Sequence, residues 1–281
     1  MEFNFIKDYE LAKESLKFDD ARLADEIGVT RAYLFRILAN EQAPSPKMLE
    51  SFYGFCYRMN IRFNLAQEEI LKETYGSKLL FHGSKQGLQS PSASGSRQDC
   101  DFGPGFYLGE SFYQAACFVS EEFQASVYAF SFDAASLNGV TYETELDWML
   151  AICYFRGKLR QYKDHPRLVK LRSAIEKADF IVAPIADNRM FQVMQQFGDG
   201  EISTIEALHA LSASNLGKQT VLKTEKAIAG LTPLTRFYLC SQERDDYEQA
   251  NKQRSYLIES KLKLAKREFR GQGQYIEELF A

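Results

Sequence analysis

The strongest constraint on this chain is a change of hydrophobic period close to residue 76. From Asn4 to Glu73 apolar residues recur three and four apart, proline occurs only at Pro44 and Pro46, and strand-like alternation is absent. A stretch of that kind buries its apolar faces as a small helical bundle. After Tyr75-Gly76-Ser77 the texture turns to short apolar runs broken by Gly, Ser and Pro, beginning with KLLFHGS and the polar stretch GLQSPSASGSRQDCDFGPG. Strands are expected over Phe106 to Gly109, Val127 to Phe132, Phe180 to Ala186, Gln219 to Lys223 and Arg236 to Leu239. Helices are expected between them, around Tyr113 to Phe123, Glu145 to Tyr162 and Ser203 to Ser212. The fold class read from this order is α+β, with a helical domain over 1–75, a strand-containing domain over 76–241 and a helical tail over 242–281.

The tail from Arg244 to Leu279 is rich in Lys, Glu, Gln and Arg, with Tyr247, Leu257, Leu262, Leu264 and Phe269 spaced along it, the pattern of a solvated helix with a thin apolar stripe. At 281 residues, 45% hydrophobic and 26% charged, the chain has enough apolar material for two cores. A net charge of -4 argues against a broad basic surface, so any nucleic-acid contact has to be local. Cys56, Cys100, Cys117, Cys153 and Cys240 contain no C-x-x-C pair, which fits reduced, mostly buried thiols and a cytoplasmic setting. The start MEFNFIKDYE has no basic segment followed by an apolar run, and no stretch of about 18 apolar residues occurs, so neither secretion nor membrane insertion is expected.

Within the helical stretch, ARLADEIGVTRAYLFRILANEQAPSPK has a short helix, a turn at Gly28, Thr30 as N-cap and a second amphipathic helix. Ala24, Ile27, Val29, Leu34 and Ile37 are expected to face the core, and Arg31, Tyr33 and Arg36 to face outward. The segment resembles the helix-turn-helix of lambda-repressor and Cro proteins, which implies DNA contact through Arg31, Tyr33 and Arg36. Over residues 1–75 acidic side chains slightly outnumber basic ones, so a bundle reused for dimerisation or for holding a partner stands beside that reading.

Four separated blocks occur in order further on: FHGS, then DFGPGFYLG with Gln114-Ala115-Ala116, then DFIVAPIADNR, then QTVLKTEKAIAGL. Over about Leu79 to Leu239 this order resembles the H-Y-E arrangement of ADP-ribosyltransferases, and looks like a bacterial ADP-ribosyltransferase-like family long catalogued as of unknown function. The resemblance implies a split β-sheet that binds NAD, with His82, Tyr107 and Gln219 at the three named positions. Loss of nicotinamide leaves an oxocarbenium-like ribose, so such a site has to hold both ribose and nicotinamide and to stabilise positive charge. On that basis His82 would bond a ribose hydroxyl, the main chain of Gly83 would approach the carboxamide, and Ser84 would add a donor. Gly105, Phe106 and Tyr107 would line the cofactor, Tyr107 stacking on nicotinamide with Tyr113 or Phe118 opposite.

Gln219 departs from the usual carboxylate, because an amide bonds a hydroxyl without supplying negative charge. Asp187 is the preferred substitute, ahead of Glu225 and Glu201, with Arg189 contacting the NAD phosphates or positioning Asp187. His165 and His209 have no partner pattern and read as structural or surface residues; no metal is expected. The resemblance implies mono-ADP-ribosyl transfer to a protein or nucleic-acid acceptor, in a toxin or phage-defence effector with a neutralising antitoxin partner. NAD glycohydrolysis, and an NAD- or ADP-ribose-sensing transcriptional regulator without turnover, remain alternatives.

Overall fold

Three short polar side chains start the helices on either side of Gly28. In the computed structural model, which describes residues 3–186, 188–212 and 216–281, Asp19 Oδ1 accepts the N–H of Arg22 at 2.8 Å and Thr30 Oγ1 that of Tyr33 at 3.2 Å. Ser45 Oγ accepts the N–H of Met48 at 3.3 Å, with Pro46 in the first helical position. Each cap satisfies a donor that the helix cannot pair internally. The stretch folds as α1 (Phe5–Leu16), α2 (Asp20–Glu26), α3 (Arg31–Leu38), α4 (Pro46–Arg58) and α5 (Phe63–Tyr75). Gly28 sits at φ 70° in the turn between α2 and α3, a left-handed conformation that glycine adopts without penalty. Ala24, Ile27, Leu34 and Ile37 are buried with Tyr9, Phe52 and Cys56, and Val29 packs against them. Arg31 and Arg36 are exposed. Tyr33 is not: it is half-buried and its hydroxyl accepts the N–H of Ser45 at 3.0 Å, so it braces the approach to α4.

The remaining described elements, in chain order, are β1 (Leu79–Ser84), β2 (Phe106–Gly109), α6 (Phe112–Val119), β3 (Ser126–Phe132), β4 (Gly139–Thr141), α7 (Leu146–Phe155), α8 (Pro166–Lys177), β5 (Phe180–Pro184), α9 (Asn188–Gly198), α10 (Thr204–Ser212), β6 (Lys218–Leu222), α11 (Glu225–Ile228), β7 (Leu231–Tyr238), α12 (Ser241–Glu268) and α13 (Ile276–Leu279). The class is α+β with mixed strand pairing: β1–β3, β2–β6 and β5–β6 are antiparallel and β4–β5 is parallel. The described residues fall into two compact units, each gathered from separated stretches. One comprises Met1–Gly87, Ser111–Ser131 and Pro233–Gln249; the other comprises Leu88–Glu110, Phe132–Thr232 and Ala250–Ala281. The texture change after Tyr75 marks the end of the helical stretch, but that stretch shares its unit with later chain.

In the first unit the strand order is β1-β3-β7. Phe81 of β1 meets Phe112 of α6 edge to face at 6.3 Å and Phe237 of β7 at 6.0 Å, with Leu71 and Tyr75 of α5 packed against the same cluster. In the second unit the order is β4-β5-β6-β2. Ile181 pairs with Val221 and Ala183 with Gln219, while Val221 also faces Tyr107 and Gln219 faces Gly109. Side chains alternate across a strand, so Tyr107, Gln219, Val221, Ile181 and Ala183 share one face. That face carries the core: Ile181, Ala183 and Val221 are fully buried with Trp148, Met149 and Ile152 of α7 and Met194 and Phe197 of α9.

The tail helix forms with a shifted stripe. Ile258 and Ala265 are buried, Leu262 and Phe269 pack against the same core, and Leu257 and Leu264 are exposed. The lone histidines have structural work. His165 Nδ1 caps α8 by accepting the N–H of Arg167 at 3.3 Å, and the His209 ring stacks on Phe269 at 4.0 Å. Cys56, Cys117, Cys153 and Cys240 are buried, and burial pushes the thiols of Cys56, Cys153 and Cys240 up to about 12, which keeps them protonated and unreactive. Among the described residues no helix is long and apolar enough to cross a membrane.

Candidate functional site

In the first unit, β1 alternates Phe81 and Gly83 inward with His82 and Ser84 half-buried. His82 lies opposite Tyr128 of β3 and Ser84 opposite Ser126, and Ser84 Oγ donates to the Gly87 carbonyl at 2.6 Å. Gly83 has a packing reason of its own. A Cβ there would stand 2.5 Å from the carbonyl oxygen of Ala115 and 2.9 Å from Val119 Cγ1, because α6 crosses directly over β1. Helix α6 is started by a capping box in which Ser111 Oγ accepts the Gln114 N–H at 3.3 Å and Gln114 Oε1 accepts the Ser111 N–H at 3.1 Å. Its first turn carries Tyr113, exposed along one side and edge to face with Tyr247 at 5.6 Å. Phe118 is 70% exposed.

The second unit contains the denser polar cluster, built around the loop that leads into β2. Gly103 takes φ 72°, and Gly105 passes so close to β6 that a Cβ would meet Val221 Cγ1 at 2.6 Å and the Leu222 carbonyl at 3.1 Å. Both glycines are therefore required by backbone conformation and close approach. The loop is held from several sides. Tyr107 donates its hydroxyl to the Gly103 carbonyl at 2.6 Å and accepts the Phe102 N–H at 3.1 Å. Lys223 donates to the carbonyls of Phe102 and Pro104, and Gly105 N–H donates to Ser96 Oγ at 3.0 Å. Burial pulls the Lys223 ammonium down to about 8 and raises the Tyr107 phenol well above its ordinary value. Phe106 alternates to the face opposite Tyr107 and is buried, so the two side chains expected together at the cofactor do not line one surface.

Gln219 stands at the end of this cluster. Its Nε2 donates to Asp101 Oδ2 at 3.0 Å and to the Pro184 carbonyl at 3.2 Å, the same carbonyl that accepts Trp148 Nε1–H at 3.2 Å. Asp101 is only 6% exposed, and its Oδ1 accepts the Arg156 guanidinium through Nε at 2.9 Å and through Nη2. Arg156 follows α7 and lies over the Phe191 ring of α9 at 4.2 Å. The carboxylate beside Gln219 is thus Asp101, which the sequence reading did not single out. Its only sequence signal is a charged residue directly before Phe102-Gly103-Pro104-Gly105; the partner that makes burial tolerable lies 55 residues further on.

The carboxylates expected to substitute are Asp187, Glu225 and Glu201. Asp187 lies outside the described residues. Glu225 Oε1 accepts the Ala93 N–H at 3.2 Å at the start of α11, and Glu201 is exposed. Arg189 donates to Glu259 of α12 at 2.8 Å and to Gln192 at 3.0 Å. Among the described residues no group of three or more His, Cys, Asp or Glu is arranged to hold a metal ion.

Chemically, the cluster presents a hydrogen-bonding amide on a sheet face, backed by a buried ion pair and a loop whose carbonyls are already engaged. A family model described as "Protein of unknown function (DUF3990)" matches residues 79–232. No curated protein and no solved structure matches the chain.

Proposed function

We propose that the chain, which belongs to the DUF3990 family of unknown function, binds NAD, breaks its nicotinamide to ribose bond and transfers ADP-ribose to a macromolecular acceptor. The observation that carries this reading is Gln219. Both of its N–H groups are committed to acceptors, which leaves Oε1 to accept a hydrogen bond, the role a ribose hydroxyl asks for. Tyr107 lies on the same sheet face and Gly103 to Gly105 form a rigid turn ahead of it. The ordered blocks FHGS, DFGPGFYLG, DFIVAPIADNR and QTVLKTEKAIAGL supply the rest of the resemblance.

In this reading Gly105 and Tyr107 take the nicotinamide and Gln219 bonds a ribose hydroxyl, all within the second unit. Rigid positioning lowers the cost of reaching a cationic transition state. The biological role proposed is that of a cytoplasmic toxin or defence effector, with the N-terminal bundle meeting an antitoxin or DNA through the exposed Arg31 and Arg36.

One observation favours a second reading. Gln219 is neutral, and among the described residues the charge of the nearby Asp101 is matched by Arg156. A ligand-sensing protein that binds NAD or ADP-ribose without turnover fits that balance. Incubation with adenylate-labelled NAD, alone and with cell lysate, separates the readings. Label on protein or nucleic acid marks a transferase, and free ADP-ribose alone marks a glycohydrolase. Bound but intact NAD under every condition marks a sensor and overturns the enzymatic reading.

A further inference from the structure

Glutamine is ambiguous as a recognition group, because its side chain offers an oxygen on one side and an N–H pair on the other, and a half-turn about the last torsion exchanges them. At Gln219 the surroundings remove that ambiguity. Among the described residues the amide nitrogen bonds Asp101 Oδ2 at 3.0 Å and the Pro184 carbonyl oxygen at 3.2 Å, and both atoms are acceptors, so the nitrogen has to face them. The Pro184 carbonyl is fixed by β5 and by Trp148. Asp101 is fixed by Arg156, whose guanidinium reaches Oδ1 through two nitrogens and is itself seated on Phe191. The neighbouring ionisable groups face the loop: Lys223 is spent on the Phe102 and Pro104 carbonyls, and the Tyr107 hydroxyl on Gly103.

We infer that Asp101, anchored by Arg156, is a positioning residue that locks the Gln219 amide with its oxygen outward, making position 219 an obligatory acceptor for a ligand hydroxyl. The inference rests on the NAD reading for the identity of that hydroxyl, a ribose one. It adds a selectivity rule: a ligand that offers only an acceptor at this point is rejected, because the amide cannot turn to meet it without leaving the buried Asp101 carboxylate short of a donor.

The test has a ligand-free arm and a ligand arm. Gln219→Glu places a carboxyl against Asp101 and the Pro184 carbonyl, so it holds the geometry only while one of the two acids keeps a proton. The thermal midpoint of Q219E is therefore expected to be highest at pH 5 and to fall toward pH 8. That fall is expected to be steeper than the background slope, set by Glu243 and Asp8, that the wild type and the double variant D101N/Q219E share, because in the double variant an amide replaces the second acid. Equal pH profiles for Q219E and D101N/Q219E would overturn the coupling. In the ligand arm, NAD is titrated into wild type, Asp101→Asn and Arg156→Lys at pH 7.5. Asp101→Asn leaves only the Pro184 carbonyl as an obligatory acceptor for the amide nitrogen and is expected to weaken NAD binding about tenfold, while Arg156→Lys, which keeps the charge, retains more of it. Wild-type affinity in Asp101→Asn overturns the positioning role. Coupling in the ligand-free arm without any NAD binding by the wild type overturns the NAD reading and the ribose hydroxyl with it, while supporting the locked amide.

Discussion

Two buried carboxylates, Glu243 in the first compact unit and Asp101 in the second, keep opposite company. In the first, Glu243 is 6% exposed and takes hydrogen bonds from the Asn64 amide at 2.8 Å and the Tyr247 hydroxyl at 3.3 Å, and burial pushes its carboxyl up to about 7. Asp8, buried against the Tyr53 hydroxyl at 2.8 Å, is likewise raised, to about 6. In the second unit Asp101 is buried to the same degree but sits on a guanidinium. Neutral donors do not offset the desolvation of a carboxylate, so the first arrangement becomes sensitive to pH. A guanidinium that reaches Oδ1 through two nitrogens fixes the carboxyl group in place, and a fixed group can orient a neighbour, which is what Asp101 does to Gln219.

The sharpest way to break this contrast is Arg156→Ala. It strands a buried carboxylate, and about 3–5 kcal/mol of stability is expected to be lost in denaturant unfolding at neutral pH, much of it recovered by adding Asp101→Asn. A loss under 1 kcal/mol would mean that the ion pair is not the anchor of this cluster. The counterpart experiment is on Glu243. Its folded value lies above its unfolded one, so its contribution to stability is fully present below about 4.5 and is lost as pH rises through about 7. At about 1.4 kcal/mol for each pH unit of difference, roughly 3 kcal/mol is at stake between pH 4.5 and pH 8, and Glu243→Gln is expected to flatten that part of the profile. An unchanged slope in the variant would assign the pH dependence to other groups.

Gly83→Ala probes a site where packing and chemistry compete as explanations. The added methyl meets the Ala115 carbonyl at 2.5 Å, and a destabilisation of about 1–3 kcal/mol is expected whether or not NAD is present. Full stability with lost NAD binding would instead assign this glycine to the ligand. The smallest effect is expected at the Thr30 cap, where Thr30→Ala should cost about 1 kcal/mol of stability and leave the second unit's chemistry untouched.

Regions also differ in how much the sequence discloses. Thr30, Gly28 and the Leu34–Ile37 spacing are legible because caps, a left-handed turn and a helical period act within a few residues. Tyr33 reads wrongly as an outward residue because its partner, the Ser45 N–H, lies 12 positions away. The three residues of β4 carry no alternation to detect, and α8 begins at a histidine cap, an uncommon choice. In the tail the exposed Leu257 and Leu264 mimic the stripe that Ile258, Leu262 and Ala265 actually form. His82, Tyr107 and Gln219 stand out by residue type and order, whereas Asp101 and Arg156 do not, since a buried ion pair is defined by a contact across 55 residues rather than by spacing.

The central claim is that this chain holds NAD with Gln219 as a hydroxyl acceptor. Titration calorimetry of NAD into the wild-type chain and Gln219→Ala, both checked for matching thermal unfolding, tests it most directly. Saturable one-to-one binding by the wild type, weakened at least about tenfold in the variant, is the expected result. Heats indistinguishable from dilution in the wild type, or equal affinity in the two proteins, would contradict the account.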